Sequence, residues 1–292
     1  MTTIDGHLHV FAAQSDRYPR DVEELYPPEM EAPVEGLLAV MDAAGVDHAV
    51  LVPLSPHDEY LRECLRRFPG RFAGIGVHDS AARDPVGELR RRVAATGIQG
   101  LRVGWLGNPD VASPEAMDTF PLLAALADDG LKLWFYSPPD QLPLLSGVLE
   151  ALPHLQVVLN HLGFCPTGYV VDEWGRPHID TELPPATLPT VLSLARFPTV
   201  HVMVSGQYAF SREPYPYRDL KPVVRAIYEA YGADRLLWAS DYPWIAKAPG
   251  YAAQVALVDE LLPDLTPPER AAVMGGTAQR LLRFFTVTAT VT

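Results

Sequence analysis

Short apolar runs recur along the chain and alternate with amphipathic stretches. Ile4 to Val10, His48 to Leu54, Phe72 to Val77 and Gly97 to Val103 have the length and β-branched or aromatic content of strands. Leu131 to Tyr136, Leu155 to His161, Val200 to Ser205 and Arg235 to Asp241 repeat the pattern. Between them the period changes to that of helices, over Val34 to Ala44 (stopped at Gly45), Glu59 to Phe68, and Pro85 to Ala95. A helix from Ser113 to Gly130 is predicted by a capping serine followed by Pro114 in the first turn. Others are predicted over Leu142 to Leu152, Thr187 to Phe197, Asp219 to Tyr231, Tyr251 to Leu262 and Pro268 to Phe285. Eight strands separated by helices, with no Gly-rich phosphate loop after the first, fit a closed parallel (β/α)8 TIM barrel better than a doubly wound sheet. The 292 residues are of a size that such barrels fold as one domain, here 1–292.

The polar residues that interrupt this pattern fall at the strand ends. In an extended strand alternate side chains share a face, so Asp5, His7 and His9 are expected on one side and Ile4, Leu8 and Val10 on the other. Three titratable groups on an inward face require polar partners, a metal or a ligand. Partners of that kind end later strands: Arg102, Tyr136, His161, Ser205 and Asp241. In barrels of this type the C-terminal strand ends carry the active site. Three connections longer than barrel closure needs, Phe11 to Pro33, Phe164 to Ala186 and Gly206 to Arg218, follow strands and therefore stand over the same face. His57, His78, His154, His178 and His201 are expected in loops or off that face.

Composition narrows the partners. The formal net charge of −13 and the absence of a basic run argue against nucleic acid. No apolar run approaches the ~20 residues that cross a bilayer, and the start of the chain does not read as a signal peptide. No membrane association and a cytoplasmic location are the expectations. The two cysteines, Cys64 and Cys165, are too few for a disulfide framework and are expected as free thiols. Homo-oligomerisation is open.

The blocks Ile4-Asp5-Gly6-His7-Leu8-His9-Val10-Phe11, Asn160-His161-Leu162-Gly163 and Trp238-Ala239-Ser240-Asp241-Tyr242-Pro243-Trp244 resemble the amidohydrolase superfamily, and more closely its amidohydrolase-2 branch. Gly100-Leu101-Arg102 and the segment from Ser205 to Tyr217 are similar to the lactonase-type members, which include pyrone-dicarboxylate and sugar lactonases. The resemblance implies a hydrolase in which Asp241 takes a proton from the attacking water and His161 polarises the scissile carbonyl. His7 and His9 would then either bind a divalent metal, zinc or manganese, together with His161 and Asp241, or hydrogen-bond the water and the carboxylate without metal. Metallated members generally add a lysine after the fourth strand or a histidine after the fifth. Here Arg102 and Tyr136 stand at those positions, which keeps metal-free chemistry open.

Arg102 reads as a clamp for a substrate carboxylate or carbonyl. Tyr136 reads as a hydrogen-bond donor to the small-molecule substrate, and Trp105, Tyr208 and Trp244 as walls. A strongly anionic dicarboxylate fits poorly with Phe164-Cys165-Pro166 after the sixth strand. The leading expectation is a lactonase-like hydrolase of a cyclic ester or related carboxyl derivative. Alternatives are a metal-dependent decarboxylase of the same superfamily and a non-catalytic binding barrel.

Overall fold

The computed structural model describes residues 2–165 and 167–284. Its strands are β1 (Ile4–Leu8), β2 (His48–Leu51), β3 (Phe72–Gly74), β4 (Gly76–Val77), β5 (Gly100–Val103), β6 (Lys132–Phe135), β7 (Gln156–Leu159), β8 (Val170–Val171), β9 (Pro177–His178), β10 (Val200–Val204) and β11 (Leu236–Trp238). All eight expected strands form, each within its expected span, and the third is split into β3 and β4 at Ile75. The pair β8 and β9 is an antiparallel hairpin inside the long Phe164 to Ala186 connection.

The parallel strands form two arcs, β1-β2-β3 and β4-β5-β6-β7-β10-β11. Ile75 carries the chain from one arc to the other, and its N–H donates to the Leu51 carbonyl at 3.0 Å. On the opposite side β1 and β11 face each other. They are bridged by Asp241 N–H to the His7 carbonyl (3.0 Å) and His9 N–H to the Tyr242 carbonyl (2.7 Å). Gly6 lies on this seam, where a Cβ would stand 2.9 Å from the Trp238 carbonyl oxygen, so a larger residue would wedge the two strands apart. The order of strands is that of the (β/α)8 barrel.

Strand alternation partitions the core. Ile4, Val50, Ala73, Trp134, Val158, Met203 and Leu237 fill the barrel interior as one buried cluster. Their chain neighbours Leu133, Phe135, Val157, Leu159, Val202 and Val204 face outward into a second cluster with the helices. That layer includes Val34–Ala44, Glu59–Arg67, Pro85–Thr96, Leu144–Ala151, Lys221–Tyr231 and Tyr251–Leu261. No described helix is long and apolar enough to cross a membrane. Cys64 and Cys165 are free thiols.

Two helices depart from expectation. Ser113 to Gly130 is not continuous: a single turn at Pro114–Ala116 is followed by an extended Met117, and the α-helix begins at Phe120. Pro121 lacks an N–H and so belongs to a first turn, and Ser113 makes no side-chain cap. At the end of the chain, Pro267–Ala271 widens into a π-helical turn at Ala272–Gly276 before Thr277–Leu281. Gly275 there approaches the Thr2 carbonyl so closely that a Cβ would sit 2.2 Å from its oxygen. Phe285, the last residue of the expected helix, lies outside the described residues.

Candidate active site

The C-terminal strand ends open into a cavity of about 580 Å³. His9, Arg102, Trp105, Tyr136, His161, Tyr208, Asp241 and Trp244 all line it, and His7 is fully buried beneath its floor. These nine positions are the catalytic and substrate-binding candidates read from the sequence, and the fold brings all of them to one mouth.

Local backbone geometry aims the central pair. His161 follows β7 with φ 48°, and Asp241 follows β11 with φ 61°. Left-handed conformations are costly for side-chain-bearing residues and persist where the surroundings enforce them. Both turn the chain sharply off its strand so that the side chain enters the cavity. Gly206 makes room for one of them: its φ is +73°, and a Cβ there would lie 2.9 Å from the His161 ring.

Asp5 corrects the expected alternation. The β1–β2 register shifts between Asp5 and Leu8, so Asp5 does not share the face of His7 and His9. Its carboxylate instead accepts from Ser240 N–H (2.8 Å) and the Tyr251 hydroxyl (2.8 Å), bracing the β1–β11 seam against the outer helix Tyr251–Leu261. Burial raises its pKa to about 6, against the lowering effect of the hydrogen bonds from Ser240 and Tyr251.

The floor is a close-packed set of imidazoles around one carboxylate. His7 Nε2 lies 3.7 Å and His9 Nε2 3.5 Å from Asp241 Oδ1, and His161 Nε2 lies 3.9 Å from Oδ2. The Tyr208 hydroxyl donates to Oδ2 at 2.5 Å. Burial works to raise the Asp241 pKa, but the electrostatic pull of the His161, His9 and His7 imidazoles facing it outweighs burial and holds the carboxyl well below the usual range. Burial pushes His161 down to about 4 and His7 well below the ordinary histidine value, so both rings are neutral at pH 7. His161 Nδ1 is hydrogen-bonded to the Ser205 hydroxyl at 2.9 Å, which leaves Nε2 facing the cavity.

His9 Nδ1 is 2.8 Å from the Val52 carbonyl, which can only accept, so that nitrogen carries the proton. In the neutral ring Nε2 is then a bare lone pair directed at a carboxylate oxygen 3.5 Å away. Two lone pairs at that separation call for a cation between them. His7 Nδ1 and Nε2 and Asp241 Oδ1 are also buried without a hydrogen-bond partner. Donor atoms of His7, His9 and Asp241 all lie within 4.8 Å of one another, and two imidazoles with a carboxylate suit a divalent transition metal. His161 belonged to the expected ligand set but stands outside this group, tied to Ser205.

The Arg102 guanidinium lies 5.0 Å above the Tyr136 ring and has no carboxylate partner among the described residues. Tyr136 packs edge-on against His161, with ring centroids 5.0 Å apart, and burial raises its pKa, so it stays a neutral donor. Trp244 stands 6.3 Å from His9, centroid to centroid, and 6.5 Å from Tyr26.

Several lining residues were not singled out from the sequence. His78, expected in a loop or off the catalytic face, lines the cavity together with Ser80, Glu23 and Tyr26, beside Tyr169 of the long Phe164 to Ala186 connection expected over this face. A signal existed for His78, since it directly follows β4 and its N–H donates to the Arg102 carbonyl at 2.9 Å, continuing the β4–β5 pairing. Nothing in the spacing of Glu23, Tyr26 and Tyr169 announces their positions, because two separate loops bring them together.

Comparison with known proteins adds to this geometry. The chain is 28% identical over 302 residues to the L-fucono-1,5-lactonase of Burkholderia ambifaria, covering 96% of this chain and 95% of that protein. It is 25% identical over 243 residues to the 4-sulfomuconolactone hydrolase of Hydrogenophaga intermedia, covering 82% and 74%. Among solved structures, a Pseudomonas putida protein described as a 2-pyrone-4,6-dicarboxylic acid hydrolase superposes with a TM-score of 0.73 at 26% identity, covering 98% of each chain. The model of the amidohydrolase family matches residues 4–284, and with the histidines and aspartate of that match gathered at one barrel mouth, the chain belongs to the amidohydrolase family.

Proposed function

We propose that this chain opens a lactone by attack of water on its carbonyl carbon, with Asp241 as general base. The observation that carries this reading is a buried, ionised carboxylate at the cavity floor, fixed on Oδ2 by Tyr208, with Oδ1 left without a hydrogen bond. Water is a poor nucleophile until a base takes its proton, and Asp241 is the carboxylate on that floor. His161 donates from Nε2 to the carbonyl oxygen as it becomes an oxyanion; Ser205, donating to Nδ1, fixes this tautomer. The bond from water oxygen to acyl carbon forms, and the acyl carbon to ring oxygen bond breaks. Asp241 then returns its proton to the departing alkoxide, and the product is a hydroxy acid. Arg102, without an acidic partner among the described residues, pairs with a ring or carbonyl oxygen of the substrate, and Tyr136 adds a neutral donor beside it. Trp244 walls the ring on its apolar side.

His7, His9 and Asp241 would hold a divalent ion, zinc or manganese. When bound, it supplies positive charge that acidifies water and stabilises a developing anion. The decarboxylase alternative asks for a further histidine after β6, and that position is Tyr136. The two lactone-opening relatives, each similar over most of this chain, support hydrolysis.

The experiment is acid release from six-carbon sugar lactones, followed with a pH indicator at neutral pH. Opening well above the spontaneous rate for at least one lactone is expected. Background rates for every lactone, under conditions in which the protein is folded and supplied with zinc or manganese, would overturn the reading.

A further inference from the structure

The cavity is deeper than its chemistry requires. Exposure serves as a measure of depth: His9, His161, Tyr208 and Asp241 are all 6% exposed or less, whereas Tyr169 is 41% and Trp105 49% exposed. The reacting groups therefore occupy the floor, and a separate outer zone rises above them on the loops. A single lactone ring of ten or so heavy atoms fills on the order of a quarter of a site of this size, since pockets of roughly 300–1,000 Å³ enclose drug-sized ligands.

The outer zone has its own chemistry. Leu25, Leu54 and Ile179 give the cavity apolar walls, and Trp105 presents an exposed indole at its edge. One acceptor is built into it. Glu23 accepts from the Tyr169 hydroxyl at 2.6 Å, which joins the Phe11 to Pro33 connection to the Phe164 to Ala186 connection across the cavity. Burial and the bond to Glu23 raise the pKa of Tyr26, which lies between Glu23 and Trp244 and so connects the rim to the floor. Arg102 is the one Lys or Arg among the lining residues, and Glu23 and Asp241 are its two carboxylates. That balance opposes a dianionic ligand. An aromatic surface next to a fixed carboxylate is suited to an uncharged ring bearing hydroxyl groups, which stacks by its face and donates from its edge.

We propose that the outer zone is a second substrate compartment, and that the natural substrate is a lactone carrying an uncharged, hydroxylated ring as a substituent, stacked on Trp105 and hydrogen-bonded to Glu23. This rests on the lactone-opening reading above. The hydroxylated ring is a phenol or a sugar, and two matched pairs of substrates separate these sources. One pair is δ-valerolactone and its 5-(4-hydroxyphenyl) derivative; the other is glucono-1,5-lactone and cellobiono-1,5-lactone.

In at least one pair, kcat/KM should be roughly tenfold higher for the ring-bearing member, the scale expected of one stacked ring and one hydrogen bond. The pair that responds identifies the ring. Trp105→Ala and Glu23→Gln should each lower that ratio toward one; the ratio, measured within each variant, is insensitive to a general loss of active protein. Opening of the bare lactones with ratios at or below one in both pairs would overturn the second compartment while leaving lactone hydrolysis standing. A ratio above one that neither variant changes would overturn the assignment to Trp105 and Glu23. No opening of any of the four compounds would remove lactone hydrolysis and the compartment together.

Discussion

Asp241→Asn should lower kcat for lactone opening by roughly 10²–10⁴-fold, the usual worth of a positioned general base. Asparagine keeps the shape of the side chain and can still accept from Tyr208, whose hydroxyl meets Oδ2 at 2.5 Å. What it loses is the proton acceptor and the negative charge facing His7 and His9. KM should change by no more than about threefold, because an interaction made only in the transition state is lost equally from kcat and kcat/KM. Metal content measured on the same preparation separates two roles. A slow variant that keeps its metal has lost a base; a variant that loses most of its metal shows that ligation is the larger part of what Asp241 does. Turnover within about twofold of wild type would exclude Asp241 as the base, since an effect that small lies far below the general-base range.

His161→Gln should cost roughly 10²–10³-fold in kcat, the scale of removing one oxyanion donor. The imidazole is held by three independent features: the left-handed backbone at φ 48°, the Ser205 hydrogen bond at 2.9 Å and the gap left by Gly206. Glutamine is too flexible to inherit that placement. Ser205→Ala should produce the same change in kind but a smaller one, because the ring is still wedged against Gly206 and Tyr136 when its tautomer is no longer fixed. Steady-state kinetics on the two variants check the order. If Ser205→Ala were the slower of the two, His161 would not be the group that meets the carbonyl oxygen.

Much of this site is legible in the chain because a barrel places every strand's C-terminal end on one face. His7, His9, Arg102, Tyr136, His161 and Asp241 could be found by asking which strands end in polar residues, and all six converge as that rule requires. Asp5 could not be placed by alternation, because the register shift between Asp5 and Leu8 is a property of the pairing with β2 and leaves no mark in the run itself. The break before Phe120 depends on where Pro121 falls in the turn, which an apolar pattern running straight through it conceals. Glu23 and Tyr169 are 146 residues apart and meet only because two loops fold over the same mouth. Loop-on-loop contacts of that kind are set by tertiary packing and have no period from which to read them.

The most direct test of lactone opening by water attack is to run the reaction in H₂¹⁸O and find the label by mass spectrometry. Attack at the carbonyl carbon, with Asp241 as base and His161 at the carbonyl oxygen, places one heavy oxygen in the product carboxylate and none in the new hydroxyl. Label in the hydroxyl group would mean that the ring oxygen is displaced from its alkyl carbon, and would contradict the roles assigned to both residues.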